Sequence, residues 1–323
     1  MKSSKNILIT GIAGFIGFHL ALALKKRGDL VRGCDNFNAY YDPALKRTRA
    51  SKLAQNDIEI FEADIRETPF IQKLLIDHDI SHVVHLAAQA GVRHSIKHPE
   101  SYVQNNLDGF VQILEACRRH PNLAFTYASS SSVYGLNTKI PFAESDPTDK
   151  PASLYGATKK ANEVIAHAYH HLYGLPVTGL RFFTAYGPWG RPDMAYFSFT
   201  KAILNEEPIQ IYNQGQMRRD FTYIDDIVEG IIAAIDYRAD CEIFNLGNQS
   251  PVDVLELIAL IEKYTGKTAI KQFLPMQQGE VPMTYADISK SQEKLGFKPR
   301  TKLDDGMKRF IEWYLTYFNR ALR

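Results

Sequence analysis

A strand-like run, Asn6–Thr10, leads directly into Gly11-Ile12-Ala13-Gly14-Phe15-Ile16-Gly17 and on into a helical pattern, Phe15–Arg27. This strand, glycine turn and helix constrain the chain more than any other feature. A turn this tight needs residues without a Cβ, and bare backbone lets a pyrophosphate approach the amides at a helix N-terminus. Asp35 closes the next strand-like run, 18 residues past Gly17, with Asn36 beside it. An acid there accepts hydrogen bonds from adenosine ribose hydroxyls and repels a 2′-phosphate, which favours NAD over NADP.

Short apolar runs and longer helical patterns continue to alternate. Strands are expected at Leu30–Cys34, Ile58–Phe61, His82–Leu86, Leu123–Ala128 and Val177–Arg181, with long helices at Pro99–Arg119 and Ser153–Tyr173. Buried strands separated by helices predict a doubly wound parallel α/β sheet, which binds ligands outside the carboxyl ends of its strands. Asp64 and Ile65 follow the third strand, where an acid can reach an adenine amino group. Leu86, Ala87 and Gln89 follow the fourth, where small residues let backbone pass a cofactor. After Arg181 the texture changes. Gly187, Pro188, Gly190 and Pro192 crowd one loop, and Gln214–Arg219 reads as a polar, basic second one. Helices at Asp225–Tyr237, Val252–Tyr264 and Leu303–Asn319 and a strand at Glu242–Asn245 complete the chain, with a loop across Pro275–Pro282. The expected division is a dinucleotide domain over 1–180 and a smaller α/β substrate lobe over 181–323, with 225–247 able to return to the first sheet.

Tyr155 and Lys159 stand four apart at the start of a helical pattern and so share one face. A lysine ammonium stabilises a nearby phenolate, and the pair is then a general base for a sugar hydroxyl. The same lysine can hold the nicotinamide ribose. The fifth strand runs into Ser129-Ser130-Ser131-Ser132, although serine is a poor strand former, and a hydroxyl there can relay a proton between Tyr155 and substrate.

Composition narrows the alternatives. The 323 residues are 45% hydrophobic and 23% charged, and 38 basic against 36 acidic side chains leave a net charge of +2. Such a balance offers no field for nucleic acid or an anionic membrane. Cys34, Cys117 and Cys241 have neither disulfide nor metal spacing, so a reducing cytoplasm is expected. Lys2 and Lys5 before the apolar run Ile7–Leu24 mimic a secretory leader, but the run is interrupted by Thr10, three glycines and His19. His167, His170 and His171 share a helix with Glu163 at metal-compatible spacing; they lie past its active end, and no metal is expected.

In this order the glycine turn, Asp35, the serine run before Val133-Tyr134-Gly135 and the Tyr155/Lys159 pair resemble the extended short-chain dehydrogenase/reductase family, over essentially the whole chain. More narrowly, the chain resembles the UDP-glucuronate 4-epimerases. That likeness lies in Asn38-Ala39-Tyr40-Tyr41-Asp42-Pro43, Leu45-Lys46-Arg47, Gly91-Val92-Arg93, Arg181-Phe182-Phe183-Thr184, Gly187–Met194 and Arg218–Tyr223. The resemblance implies a Rossmann-like domain holding NAD and a C-terminal lobe holding a UDP-sugar. It also implies a homodimer through the two long helices, and Ser130, Tyr155 and Lys159 as the catalytic set. It further implies substrate contacts from Arg93 and a diphosphate contact from Arg219, with Gln277 and Glu280 near the uridine diphosphate. Glu280 stands where aspartate is usual, which leaves the ribose contact open, and Ala39 replaces a commoner aspartate.

Family neighbours differ at single positions. Nucleotide-sugar 4,6-dehydratases carry an acid pair where this chain has Ser131 and Ser132. UDP-glucose 4-epimerases and UDP-glucuronate decarboxylases remain as alternatives, as does an NAD(H)-sensing regulatory protein that kept the fold. Oxidising C4 of UDP-glucuronate creates a β-keto acid, which loses carbon dioxide when its C5–C6 bond stands perpendicular to the carbonyl plane. An epimerase must therefore hold the carboxylate near the ring plane. Ser131, Ser132 and Thr184 are the expected anchors, with Arg191 at the cleft mouth.

Overall fold

The computed structural model describes residues 4–277 and 279–321. Strands and helices alternate from β1 (Asn6–Thr10), α1 (Phe15–Arg27) and β2 (Leu30–Asp35) through α2 (Pro43–Ala54), β3 (Glu59–Glu62), α3 (Thr68–Asp77) and β4 (His82–His85). Three helical pieces follow, α4 (Val92–Lys97), α5 (Pro99–Tyr102) and α6 (Gly109–Cys117), then β5 (Ala124–Ser130), α7 (Leu154–Tyr173) and β6 (Val177–Phe182). The remainder is β7 (Thr184–Tyr186), α8 (Ala195–Leu204), β8 (Pro208–Ile211), β9 (Arg218–Tyr223), α9 (Ile224–Tyr237) and β10 (Cys241–Leu246). It ends with β11 (Pro251–Asp253), α10 (Val254–Thr265), β12 (Ile270–Phe273), α11 (Ser289–Leu295) and α12 (Leu303–Ala321).

Seven parallel strands form the central sheet in the order β10-β6-β5-β4-β1-β2-β3. The chain runs outward from β1 in one direction and then in the other, so the switch falls between β1 and β4, where such sheets bind ligands. β1 is apolar without alternation because both of its faces are covered. Ile7 and Ile9 enter one core cluster and Leu8 the other. The run Ile7–Leu24 is thereby part of the folded core, whereas Lys2 lies outside the described residues. Among the described residues no helix is long and apolar enough to cross a membrane.

After β9 the chain forms α9, and β10 pairs with β6 at the edge of the seven-stranded sheet. Around this stretch the second lobe is built from a three-stranded sheet, β11-β9-β7, and a parallel pair, β12-β8. Two expectations are corrected. The helix expected over Pro99–Arg119 is continuous over Pro99–Cys117 but not α throughout: Val103–Asp108 is π-helical, and Asn106 within it is buried and bonded to the Gln89 backbone. The expected loop Gln214–Arg219 places Arg218 and Arg219 in strand β9, because each forms a ladder with β11.

Candidate active site

At the switch point the glycines bring three backbone segments together. Gly11 has φ +69°, and a Cβ there would lie 2.8 Å from the Ala87 nitrogen. A Cβ on Gly17 would lie 2.4 Å from the Gly11 carbonyl oxygen. Gly14 caps α1 without a side-chain hydrogen bond, and the first turn holds no acid, so its amides remain open to an anion. Asp35 accepts from the Phe37 amide at 2.9 Å and lies 3.5 Å from Lys46 Nζ.

One continuous cavity of about 940 Å³ runs from this cradle to the second lobe. Gly11, Gly14, Phe15, Ile16, Gly17, Asp35, Asn36, Ile65, Leu86, Ala87 and Gln89 line its first part. Asp64 does not. Its carboxylate is turned to Asn36 and to Arg66, whose hydrogen bonds hold it down to about 2. The side-chain nitrogen of Gln89 is buried without a hydrogen-bond partner among the described residues. Its backbone is pinned by Asn106, which accepts from the Gln89 amide at 2.8 Å and donates to the Gln89 carbonyl at 2.9 Å. An asparagine pair inside an otherwise helical run was the signal for this contact, since asparagine is a weak helix former.

Ser153 caps α7 by accepting from the Gly156 amide at 3.1 Å. A Cβ on Gly156 would lie 2.5 Å from the Ser132 carbonyl, so the bare residue lets the helix start against the serine turn. Tyr155, Lys159, Ser130, Ser131 and Ser132 all face the cavity. Ser129, by contrast, donates to Glu163 at 2.6 Å, and Glu163 also takes two bonds from Arg181.

Burial pushes Tyr155 above its ordinary value, while a hydrogen bond with Ser130 and the charge of Arg191 pull it down. Lys159 donates one of its three N–H bonds to the Ala128 carbonyl at 2.9 Å, and burial lowers it to about 8. Its side chain borders the same cavity as Tyr155, and Asp193, the partner of Arg191, works against the pull of Arg191 on the phenol.

Thr184, Arg191, Arg93, Arg219 and Glu280 line the far part of the cavity. Arg191 pairs with Asp193 at 3.1 and 2.6 Å, and Tyr40 donates to the same carboxylate at 3.0 Å. Glu280 bridges Arg219 at 2.8 Å and Arg93 at 3.4 Å, so it neutralises two arginines in this state. Burial lowers Arg219, and Glu280 opposes that shift. Gln277 does not line the cavity; its side-chain oxygen is buried without a partner among the described residues. Tyr40 and Asp193 were visible in the sequence only as parts of family-like stretches, and Lys46 likewise.

A sequence model of the family described as GDP-mannose 4,6-dehydratase matches residues 8–310. UDP-glucuronate 4-epimerase 4 of Arabidopsis thaliana is 53% identical over 331 residues, covering 97% of this chain and 76% of the relative. Protein CapI of Staphylococcus aureus is 47% identical, covering 97% and 99%. Among solved structures, the UDP-glucuronic acid 4-epimerase of Bacillus cereus in complex with UDP-glucuronic acid and NAD aligns with a TM-score of 0.91 at 39% identity. That alignment covers 97% of this chain and 99% of the other. The UDP-glucose 4-epimerase of Thermotoga maritima aligns at 0.88 and 30% identity, covering 98% and 100%. The family model carries a dehydratase's name, but hydroxyls, not acids, follow Ser130. Whole-length identity near one half, a shared fold and this arrangement of the cavity agree: the chain belongs to the UDP-glucuronate 4-epimerases, within the extended short-chain dehydrogenase/reductases.

Proposed function

We propose that this protein inverts C4 of UDP-glucuronate to give UDP-galacturonate, through a transient 4-keto sugar. The observation that carries the reading is that Tyr155, Ser130 and the hydroxyls of Ser131, Ser132 and Thr184 converge on one cavity with the dinucleotide cradle. The residues present fit NAD, because the open first-turn amides of α1, the bare glycine turn and the Gln89 nitrogen, unpartnered among the described residues, all await a polar ligand. Gly11, Gly14, Phe15, Ile16 and Gly17 would hold its pyrophosphate, Asp35 its adenosine ribose and Ile65 its adenine, with Lys159 at the nicotinamide ribose. Bound NAD supplies a reversible hydride acceptor, so no external oxidant is consumed.

Tyr155 takes the O4 proton as C4 is oxidised, and Ser130, on the same cavity, relays that proton. Arg191 opposes the upward shift that burial imposes on the phenol. Arg219 and Arg93 leave Glu280 for the diphosphate, a dianion that outcompetes a single carboxylate. Ser131, Ser132, Thr184 and Arg191 hold the sugar carboxylate near the ring plane, against loss of carbon dioxide. After the intermediate turns about its diphosphate, Tyr155 returns the proton on the inverted centre.

Proton NMR of the protein with UDP-glucuronate and, separately, UDP-glucose tests the reading. UDP-galacturonate from the first and almost nothing from the second is expected. UDP-xylose or a 4-keto pentose would replace it with decarboxylation, brisk turnover of UDP-glucose with the glucose epimerase, and no turnover beside tight NAD binding with a sensor. Three free thiols, two of them buried, support a cytoplasmic protein. Exposed Val103, Val164, Leu172 and Tyr173 on the long-helix face support a homodimer, which sedimentation checks.

A further inference from the structure

Three consecutive carbonyls in the loop between β7 and α8 are gripped by side chains of the dinucleotide half. His19 on α1 donates through Nε2 to the Pro188 carbonyl at 2.9 Å. Arg49 on α2 donates through Nη2 to the carbonyls of Trp189 at 2.5 Å and Gly190 at 3.1 Å. Through Nη1 the same guanidinium donates to the Ala13 carbonyl, inside the glycine turn, at 3.0 Å and to the Tyr41 hydroxyl at 2.9 Å. Arg49 is wholly buried, and among the described residues its Nε has no partner and no carboxylate pairs with it. Burying a cation among neutral oxygens is costly, and an apolar side chain of similar volume fills space more cheaply. What the guanidinium alone provides is a rigid fork that reaches both loops at once.

The gripped backbone ends where Arg191 begins. Trp189, at φ +60°, is locked from its other side by the rings of Phe18, Trp313 and Tyr317, with centroids at 5.5, 5.2 and 5.1 Å. Arg191 is thus a long side chain on a fixed root, and that root is tied by one residue to the turn that cradles the dinucleotide. We infer that Arg49, aided by His19, is a positioning residue that sets Arg191 against the glycine turn and so keeps the sugar carboxylate in the ring plane while C4 is a ketone. The inference rests on the UDP-glucuronate reading above and on Arg191 as the carboxylate's partner. If the root slackens, the carboxylate leaves the plane. The C5–C6 bond then breaks and carbon dioxide departs. The bond's electron pair passes into the C4 carbonyl as an enolate, which takes a proton from water at C5 and leaves a UDP-4-keto-pentose.

The test compares wild type with Arg49→Met, Arg49→Lys and His19→Gln. Proton NMR scores UDP-galacturonate against UDP-pentose and UDP-4-keto-pentose, and hydrogen exchange follows the amides of 187–194. In Arg49→Met the decarboxylated share should rise roughly ten-fold and the loop amides should exchange roughly ten-fold faster. Arg49→Lys should recover part of both, and His19→Gln should move both the same way by less. If Arg49→Met does not fold, the other two variants decide. Wild-type epimerisation with an unaltered product ratio in every folded variant overturns the inference alone, even where turnover falls. Wild type that forms no UDP-galacturonate overturns the underlying reading and this inference with it.

Discussion

The dinucleotide half of the cavity presents backbone, while the substrate half presents charge that is already spoken for. Around Gly11–Gly17 the recognition groups are amides fixed by strand ends and a helix terminus. Across the cavity Arg191 is held by Asp193, and Arg219 and Arg93 by Glu280. Those pairs offset the desolvation of guanidinium ions inside a cleft, at the cost that an acidic ligand must displace a carboxylate to reach them. One half is preorganised and the other is exchangeable.

Acid separates the halves most sharply. His82 and His85 on β4 are each 2% exposed, bonded to Thr126 and Thr10, and burial lowers both to about 3. The unfolded chain protonates them below about 6.5, whereas the folded chain does so only near 3. Stability therefore falls as pH drops through 6.5 and goes on falling to about 3. At pH 5 each histidine should cost about 2 kcal/mol, visible as a lower urea midpoint than at pH 7. Asp193 is held below its ordinary value by Arg191, so the exchangeable pair survives that acidification. Equal urea midpoints at the two pH values would contradict the account of β4.

Tyr155→Phe comes next. Turnover should fall roughly 10²-fold or more while dinucleotide binding persists, because the cradle does not use that hydroxyl. Near-normal activity would refute the assigned base. Arg219→Met should raise KM for the UDP-sugar roughly ten-fold with kcat little changed, since the side chain meets the diphosphate equally in ground and transition states. A loss confined to kcat would move Arg219 out of the binding set. The smallest effect belongs to Asp193→Asn. Releasing Arg191 from its carboxylate should lower KM for UDP-glucuronate by about two- to five-fold, without a like change for UDP-glucose. A raised KM would show that Asp193 orients Arg191 and does not compete for it.

How much of this was legible beforehand differs by residue. β1, α1 and the glycine turn could be read to the residue, since period, turn chemistry and helix N-terminus all point the same way there. The start of α7 was equally plain, because Ser153, Tyr155, Gly156 and Lys159 lie within one turn or two. The partners of Asp64 were not legible: a strand-end acid has several within reach, and its carboxylate meets Arg66 and Asn36. The π-helical stretch in the Pro99–Arg119 helix was missed because Asn106 finds its partners on the β4 loop and on α7, more than ten residues away in either direction. Arg49 carried no local sign at all; its partners come from positions 13, 41, 189 and 190.

The sequence by itself determined the parallel sheet, the dinucleotide cradle and the face shared by Tyr155 and Lys159. Each follows from spacing within a few residues of chain, where backbone geometry leaves little choice. Only the folded chain decided which charges meet: Arg191 with Asp193 and Tyr40, Glu280 between two arginines, and Lys159 against a carbonyl. Those pairings are chosen by distance and burial between segments far apart in sequence, and no local pattern encodes them.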